Sequence, residues 1–283
     1  MKVLVLILLG LCFGSFANAL AWRLYERRKL LERGKDKLDK KQQAELERLS
    51  IVHGRSECPH CHHVLAAKDL VPVASWMMLR GKCRYCKARI DDTPLPELAT
   101  PLLFVGSYIW WPFALHGVGL FEFGLWLVFL VGFVALAVYD LRWFMLPNEM
   151  VFPLIALSVL QVLVVKFGYG GDWRMLVDSA LGVLVVAGVF YALFLASNGG
   201  WIGGGDVKLG IVLGLLACGA IRGLVLLFIA SVSGLLATIP MMLRGEAHRK
   251  SMIPFGPFLM LGLVIVVLFG TDIVNWYTQL FHA

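Results

Sequence analysis

Long uninterrupted apolar segments dominate the pattern of side chains along this chain. The first runs from Val3 to Trp22, a 20-residue stretch without a charged side chain. At about 1.5 Å of helix per residue, that length crosses a bilayer hydrocarbon core of about 30 Å. Seven further apolar segments follow at approximately 98–116, 120–139, 147–166, 175–197, 206–218, 221–243 and 256–277. The pattern predicts an all-α, polytopic membrane helical bundle of about eight spans, in which 206–218 is short enough for a re-entrant helix.

One polar region separates the first span from the others. Residues 23–97 carry 17 Lys or Arg and 11 Asp or Glu. The part from Glu26 to Leu49 mixes both signs of charge without proline, which is typical of a solvated helix or a linker. We therefore expect a first transmembrane helix at 1–22, a small aqueous insertion at 23–97 and a membrane core at 98–283.

Composition and charge agree with this division. The chain is 59% hydrophobic and 16% charged, whereas soluble globular chains are about 45–50% apolar and about 25% charged. These values exclude an ordinary soluble domain and a disordered chain. If residues 23–97 lie in the cytoplasm, 22 Lys or Arg side chains lie on the inner side and 4 on the outer side. The positive-inside rule then predicts a cytoplasmic insertion and two outward-facing termini.

The polar insertion contains two Cys-x-x-Cys pairs. Their members are Cys58, Cys61, Cys83 and Cys86. Two such pairs can close a tetrahedron of thiolates around Zn²⁺, and a complete set of four cysteines leaves no open coordination site, so we expect a structural zinc in a ribbon-like fold. The alternative is a set of three cysteines and one histidine from residues 60–63. Membrane topology and anionic headgroups account for the basic residues around the second pair, so we expect no nucleic-acid partner.

Two aspartates mark the ends of two predicted spans. Asp140 closes the third span, and Asp206 opens the sixth, 66 positions later. The predicted topology puts both at the cytoplasmic face. A carboxylate at membrane depth is costly unless it faces a cavity or a partner, which makes each a functional candidate. The alternative is a pair of topological anchors, with Asp140 beside Arg142 and Asp206 capping a helix beside Lys208.

Such a pair of carboxyl groups has the chemistry of an aspartic protease. Two carboxyls that approach each other do not both ionise easily, so they share one proton. The ionised member can take a proton from water while the other donates to the scissile carbonyl oxygen. The glycines at 203–205 permit a close backbone approach that leaves room for an extended peptide. A helix that begins near Asp206 would favour its ionised form, so we expect Asp206 to be the base.

Two other classes of function fit parts of the sequence. A proton-coupled transporter also uses acids within spans, but it predicts acids near the midplane and repeat-related broken helices. Here the acids lie at span ends, and no internal repeat is visible. A non-catalytic scaffold would explain the insertion as a partner-binding module, yet it leaves the aspartates of the spans unexplained.

Several motifs of the chain, in their order, resemble those of the type IV prepilin peptidases. The matching segments are Gly14-Ser15-Phe16 with Asn18, Arg55-Ser56 before the first cysteine pair, Leu79-Arg80-Gly81-Lys82 before the second, Pro94-Leu95 with Glu97, Asp140-Leu141 with Leu146-Pro147-Asn148, the Gly-x-Gly-Asp of 203–206 with Lys208-Leu209, and Pro254-Phe255-Gly256-Pro257-Phe258-Leu259. The resemblance covers most of the chain. In this chain Asn148 stands where many members have aspartate.

The resemblance implies an aspartic endopeptidase of the bacterial inner membrane. Such enzymes remove the short basic leader of type IV prepilins or pseudopilins after a glycine on the cytoplasmic side, and many N-methylate the new N-terminal residue with S-adenosylmethionine. The family's catalytic aspartates fall on Asp140 and Asp206, with Gly203, Gly205 and Lys208 in support. Its cytoplasmic cysteines fall on the four named above. The sequence shows no glycine-rich nucleotide fingerprint, so it identifies no residues for the methyl donor.

Overall fold

The computed structural model describes residues 1–33, 39–51, 53–90, 93–168, 170, 172–245 and 253–282. In these ranges the chain forms ten α-helices: α1 (Lys2–Arg33), α2 (Lys40–Arg48), α3 (Ala74–Leu79), α4 (Leu95–Ile109), α5 (Val118–Trp143), α6 (Asn148–Gly168), α7 (Trp173–Ala196), α8 (Gly204–Ala217), α9 (Ala220–Leu243) and α10 (Gly256–His282). The same ranges hold one 3-10 turn at Ala67–Asp69 and two isolated β-bridges, but no strand. The expected all-α fold is confirmed.

Six of these helices are long and apolar enough to cross a membrane, namely α1, α5, α6, α7, α9 and α10. The protein is therefore a multi-pass membrane protein. The other two apolar segments form shorter helices, since α4 has 15 residues and α8 has 14. At about 1.5 Å per residue these two are about 22 and 21 Å long, less than the hydrocarbon thickness. The eight apolar segments thus become six full-length helices and two short ones.

The described chain divides into two compact units, Met1–Gly106 and Ser107–Ala283. In the first unit, α1 and α4 approach each other closely at two glycines of α1. A Cβ at Gly10 would lie 2.5 Å from the Pro101 Cα, and one at Gly14 would lie 2.4 Å from the Pro96 carbonyl oxygen. Only glycine fits at such a crossing, because any side chain would push the helices apart. The polar end of α1 is tied to the insertion through Arg23, which donates to the Ser50 carbonyl oxygen at 3.0 Å.

The second unit is built around the short helix α8. It packs against α6, α7, α9 and α10, and its apolar side chains Leu209, Val212 and Leu213 are fully buried. The approach to α7 is close, since a Cβ at Gly214 would lie 2.5 Å from the Val183 Cα. A helix surrounded by other helices satisfies its own backbone and does not need to span the bilayer. The packing therefore explains how a 14-residue apolar helix is accommodated.

The ends of α8 are set by backbone conformation. Gly203 is its N-cap in an extended conformation, and Cys218 ends the helix with φ 51°. Gly219 follows with φ 138°, and α9 begins at Ala220. Glycine tolerates this positive φ without a steric cost, so the chain reverses within two residues. The first turn of α8, which carries Asp206, is held at a fixed place by this short connection and by the crossing with α7.

Candidate active site and metal centre

Asp140 lies in the last turn of α5, with its side chain buried and about 6% of its surface exposed. The helix ends three residues later, at Trp143. Phe144 follows with φ 54° and donates its N–H to the Asp140 carbonyl oxygen at 2.8 Å. In the side chain, Oδ2 of Asp140 accepts a hydrogen bond from the backbone N–H of Gly256 at 3.1 Å. Gly256 is the first residue of α10, where N–H groups have no partner within the helix and favour a negative charge.

In the sequence, Gly256 stands out only as part of a family motif. No pattern in the sequence predicts it as a site residue. Its geometry shows why glycine stands there. A Cβ at this position would lie 2.7 Å from Oδ2 of Asp140, so any side chain would push the carboxylate away from the N–H that binds it. The only signal in the sequence is a glycine between Phe255 and Pro257 at the start of an apolar segment, which is typical of a helix start but says nothing about its neighbour.

Asp206 is the third residue of α8 and lies partly exposed in its first turn. Its carboxylate turns back towards Gly203, the N-cap residue, where a Cβ would lie 3.5 Å from Oδ2. An acidic side chain at the third helical position is favoured by the free N–H groups of the first turn. Each of the two predicted aspartates therefore lies beside the start of a helix.

Leu146 lies between the start of α8, which carries Asp206, and the start of α10, which binds Asp140. A Cβ at Gly205 would lie 2.9 Å from the Leu146 Cβ, and a Cβ at Gly256 would lie 3.6 Å from the Leu146 Cδ2. The starts of α8 and α10 thus meet on one leucine. Both carboxylates lie beside these helix starts, since Oδ2 of Asp140 would be 2.7 Å from a Cβ on Gly256 and Oδ2 of Asp206 would be 3.5 Å from a Cβ on Gly203. The structure brings together the two aspartates that the sequence selected.

The glycines before Asp206 have different roles in this arrangement. Gly205 is required for packing, because Leu146 occupies the space that a side chain would fill. At Gly203 and Gly204 a Cβ would make only ordinary contacts, at 3.5 Å from Oδ2 of Asp206 and 3.9 Å from the Phe194 ring. The predicted close backbone approach is therefore made to Leu146 and falls on Gly205.

Lys208 points away from Asp206. The two residues are two positions apart in a helix, about 200° around its axis. Lys208 Nζ donates to Oδ1 of Asn148 at 2.7 Å and lies 5.5 Å from the centre of the Phe152 ring. It therefore links the first turn of α8 to the first turn of α6.

The four predicted cysteines also come together. Their Sγ atoms all lie within 4.8 Å of one another. Cys58 and Cys83, the first cysteine of each pair, are buried, while the second of each pair is exposed. The Sγ atoms of Cys58 and Cys86 are 3.8 Å apart, which is about the edge of a tetrahedron with metal–sulfur bonds of about 2.3 Å. The cluster can hold a metal ion with four sulfur ligands. His60 points elsewhere, with Nε2 3.1 Å from the Arg89 carbonyl oxygen.

The two cysteine pairs adopt the same backbone turn. Cys58 N–H donates to the His63 carbonyl oxygen and Cys83 N–H donates to that of Ala88, at 3.0 and 2.9 Å. The residue after the second cysteine of each pair, His62 or Lys87, has a positive φ. One isolated β-bridge flanks each turn. Backbone N–H groups, first that of Cys86, lower the pKa of Cys83 to about 7, which favours the thiolate that a metal requires.

A partly buried ion pair fixes the second cysteine turn to the 3-10 turn at Ala67–Asp69, and a ring contact joins the two cysteine turns. The Asp69 carboxylate accepts from Arg84 Nε at 2.6 Å and from the Tyr85 hydroxyl at 3.1 Å. The Arg84 guanidinium holds the pKa of Asp69 below its usual value. The rings of His63 and Tyr85 lie 3.7 Å apart. These contacts, which the sequence did not indicate, fix one cysteine turn against the other.

Comparison with known proteins places the chain in a family. The family model described as "Bacterial Peptidase A24 N-terminal domain" matches residues 8–111, and the "Type IV leader peptidase family" model matches residues 127–239. Curated proteins named prepilin leader peptidase/N-methyltransferase match over nearly the full length. The protein from Stutzerimonas stutzeri is 30% identical, and the match covers 98% of this chain and 94% of the relative. The protein from Pseudomonas aeruginosa is 32% identical, over 98% of this chain and 93% of the relative. The protein from Dickeya chrysanthemi is 35% identical, over 95% of this chain and 94% of the relative. The chain belongs to the type IV leader peptidase family.

Family membership confirms the peptidase interpretation of the sequence and gives the transporter alternative no support. The four cysteines lie within the N-terminal family match, and both aspartates lie within the leader peptidase match. Gly256 lies beyond residue 239, outside the range that the peptidase model matches. No solved structure matches the chain at a significant level.

Proposed function

We propose that this leader peptidase uses Asp140 and Asp206 as its catalytic pair to remove the leader of type IV prepilins or pseudopilins after a glycine. The observation that carries the proposal is that the helix start with Asp206 and the helix start that binds Asp140 meet on Leu146, in a chain of this family. The relatives' name, prepilin leader peptidase/N-methyltransferase, supports the substrate class.

The hydrolysis follows from the shared charge of the pair. Two adjacent carboxyl groups away from bulk water hold one negative charge between them. The ionised aspartate takes a proton from a water molecule, which attacks the carbonyl carbon of the glycine. The protonated aspartate donates to the carbonyl oxygen, giving a tetrahedral diol. As the diol collapses, the aspartate that took the proton from water gives it to the leaving nitrogen, and a diol hydroxyl returns its proton to the other aspartate, so the new amine is released. Asp140 accepts an N–H at the start of α10 and Asp206 lies in the first turn of α8, so the helix starts do not distinguish the two, and Asp206 as the base stays a prediction.

The chemistry of the substrate fits a site at a helix end near the membrane surface. A prepilin has a basic leader followed by an apolar helix, so it would reach the enzyme laterally with its cleavage site at headgroup level. We propose that this is the cytoplasmic face of the inner membrane, because the Lys and Arg distribution favours that orientation. We further propose the division into a first span at 1–22, a cytoplasmic insertion at 23–97 and a protease core at 98–283.

For the metal centre, we propose one structural Zn²⁺ held by Cys58, Cys61, Cys83 and Cys86. Four thiolates at tetrahedral spacing are a typical zinc ligand set and leave no position for water. The positive charge of the ion would offset the mutual repulsion of the thiolates, and the bond to all four would hold the two cysteine turns together. The metal therefore supplies stability to the insertion and takes no part in the hydrolysis.

We also propose that the protein N-methylates the new N-terminal residue with S-adenosylmethionine as donor. Support comes from the second half of the relatives' name. The new α-amino group is released at the same site where the leader is removed. Methylation would therefore follow cleavage on the same bound substrate.

The proposal is tested by incubating a prepilin with the purified protein and S-adenosylmethionine and recording the products by mass spectrometry. We expect a cut after a glycine and an added methyl group. Asp140→Asn and Asp206→Asn should each abolish the cut while the amount of protein in the membrane stays unchanged. Asp172→Asn is the matched control, because Asp172 caps α7 on the protein surface and asparagine caps equally well. Cleavage retained by both active-site variants would refute the catalytic pair.

A further inference from the structure

The segment between the two cysteine turns exposes apolar side chains. In α3 and the turn before it, Met77 is 65% exposed, Met78 is 78% exposed and Val71 is about half exposed. All three lie within residues 71–78. Exposed apolar side chains that are grouped in this way are typical of a surface that contacts a partner or a membrane.

Contacts within the first unit place Val73, between Val71 and α3, beside the apolar part of α1. The N–H of Val73 donates to the Glu97 carboxylate in the first turn of α4. The Cα of Glu97 would lie 2.7 Å from a Cβ on Gly14 of α1. Gly14 precedes Trp22, the end of the apolar stretch of α1, by eight residues, or about 12 Å of helix. A glutamate side chain is shorter than this distance, so Val73 lies beside the apolar part of α1.

The backbone at Val73 adopts an unusual conformation at this contact. Its φ is 60°, a value that β-branched residues rarely adopt. The bond from its N–H to Glu97 offsets the cost of that conformation. The turn that carries Val71 is therefore fixed to the start of α4, where the chain enters its second apolar segment.

Basic side chains border the apolar surface. Arg80 and Lys82 follow α3 directly and are both exposed. On the N-terminal side, the nearest acidic side chain in the sequence is Asp69, which is buried and paired with Arg84. Apolar side chains with a basic border are typical of segments that lie in the interface of an anionic membrane.

We propose that residues 71–82 form an interfacial anchor. Val71, Met77 and Met78 insert at the boundary between headgroups and acyl chains, and Arg80 and Lys82 bind the phosphates of acidic phospholipids. Methionine suits such a surface because its unbranched side chain adapts to a fluid environment. The anchor holds the metal module, residues 53–90 with the four cysteines, against the bilayer. It is independent of the proposed peptidase chemistry.

A photo-cross-linker at position 78 tests the proposal in the full-length, zinc-loaded protein. Benzoylphenylalanine would replace Met78 in nanodiscs made of phosphatidylcholine and phosphatidylglycerol. We expect lipid adducts by mass spectrometry after illumination. The same probe in place of Ala44, which is exposed on the charged helix α2, should give none. Absence of lipid adducts at position 78, or equal yields at both positions, would overturn the anchor.

Two further arms separate the anchor from other occupants. With a prepilin added, lipid adducts at position 78 should persist; adducts to the prepilin in their place would show a substrate surface and refute the proposal.

Arg80→Gln and Lys82→Gln should each lower the ratio of phosphatidylglycerol to phosphatidylcholine adducts by up to about fivefold, since one cation near an anionic surface is worth about 1 kcal/mol. An unchanged ratio in both would remove the headgroup contact. Metal content measured in every variant confirms that the module is folded.

Discussion

The backbone N–H of Gly256 donates to Oδ2 of Asp140 across 116 positions of sequence, at 3.1 Å. This bond makes the start of α10 part of the active site. It also sets the rotamer of a side chain that must face its partner aspartate. The glycine is needed because a Cβ would lie 2.7 Å from the same oxygen.

Gly256→Ala should therefore impair catalysis without unfolding the protein. The added methyl group displaces the Asp140 carboxylate, and a misplacement of about 1 Å costs about 100-fold in rate. The measurement is the rate of leader removal together with thermal stability. Gly124→Ala is the matched control, because a Cβ at Gly124 in α5 meets nothing within 4 Å. Full activity of Gly256→Ala would show that the carboxylate does not depend on this contact.

The two glycines directly before Asp206 should respond differently to the same substitution. Gly205→Ala places a methyl group 2.9 Å from the Leu146 Cβ, whereas Gly204→Ala meets only the Phe194 ring, at 3.9 Å. We expect Gly205→Ala to lower activity by at least about tenfold, since α8 must shift relative to Leu146 and carries Asp206 with it. Gly204→Ala should stay close to wild type. Cleavage assays on both proteins check this, and equal losses would contradict a role specific to Gly205.

The crossing of α7 and α8 should be intolerant of a side chain at Gly214. The Cβ would lie 2.5 Å from the backbone Cα of Val183, which has no rotamer to change. We expect Gly214→Ala to destabilise the protein by about 1–3 kcal/mol, the usual cost of overpacking, and to lower activity because α8 moves. Thermal unfolding in detergent measures the effect. Gly188→Ala in α7 is the control, since its Cβ would contact only Leu184, at 3.9 Å, and alanine favours a helix more than glycine does; a similar loss there would contradict an effect specific to the crossing.

Asp69→Asn should loosen the metal module. The neutral amide cannot hold Arg84 and Tyr85 as the carboxylate does, so Tyr85 of the second cysteine turn is held less firmly against His63 of the first. We expect faster loss of metal to a chelator, and Lys68→Ala, next to it on the surface, should have no effect.

The pH dependence of this effect follows from the direction of the shift. Because the pKa of Asp69 is lowered in the folded protein by Arg84, its carboxylate is charged throughout the neutral range. Its stabilising contribution is present above the carboxyl's ordinary pKa and disappears as the pH falls through the lowered value. The difference in metal release between Asp69→Asn and wild type should therefore be constant across neutral pH. A difference that changes with pH in that range would contradict the charged pair.

Much of the architecture could be predicted from the apolar pattern, because a bilayer demands long apolar helices with every backbone group satisfied. The spacing of the cysteines predicted their cluster, since each Cys-x-x-Cys turn is a local structure. The pairing of Asp140 with Asp206 was predicted from topology, which places both at one face. The short length of α8 was also predicted, from its apolar segment at 206–218. That of α4 was not, because an apolar segment has the same sequence pattern whether it faces lipid or other helices.

The sequence by itself determined the helical membrane fold, the sulfur ligands and the acidic residues, since these depend on local periodicity, spacing and residue type. Only the tertiary structure decided that Gly256 binds Asp140, that Leu146 fills the space beside Gly205, and that Asp69 holds Arg84 in the second cysteine turn. Those contacts join residues that are distant along the chain. Their distances depend on how the helices pack, which no local pattern encodes.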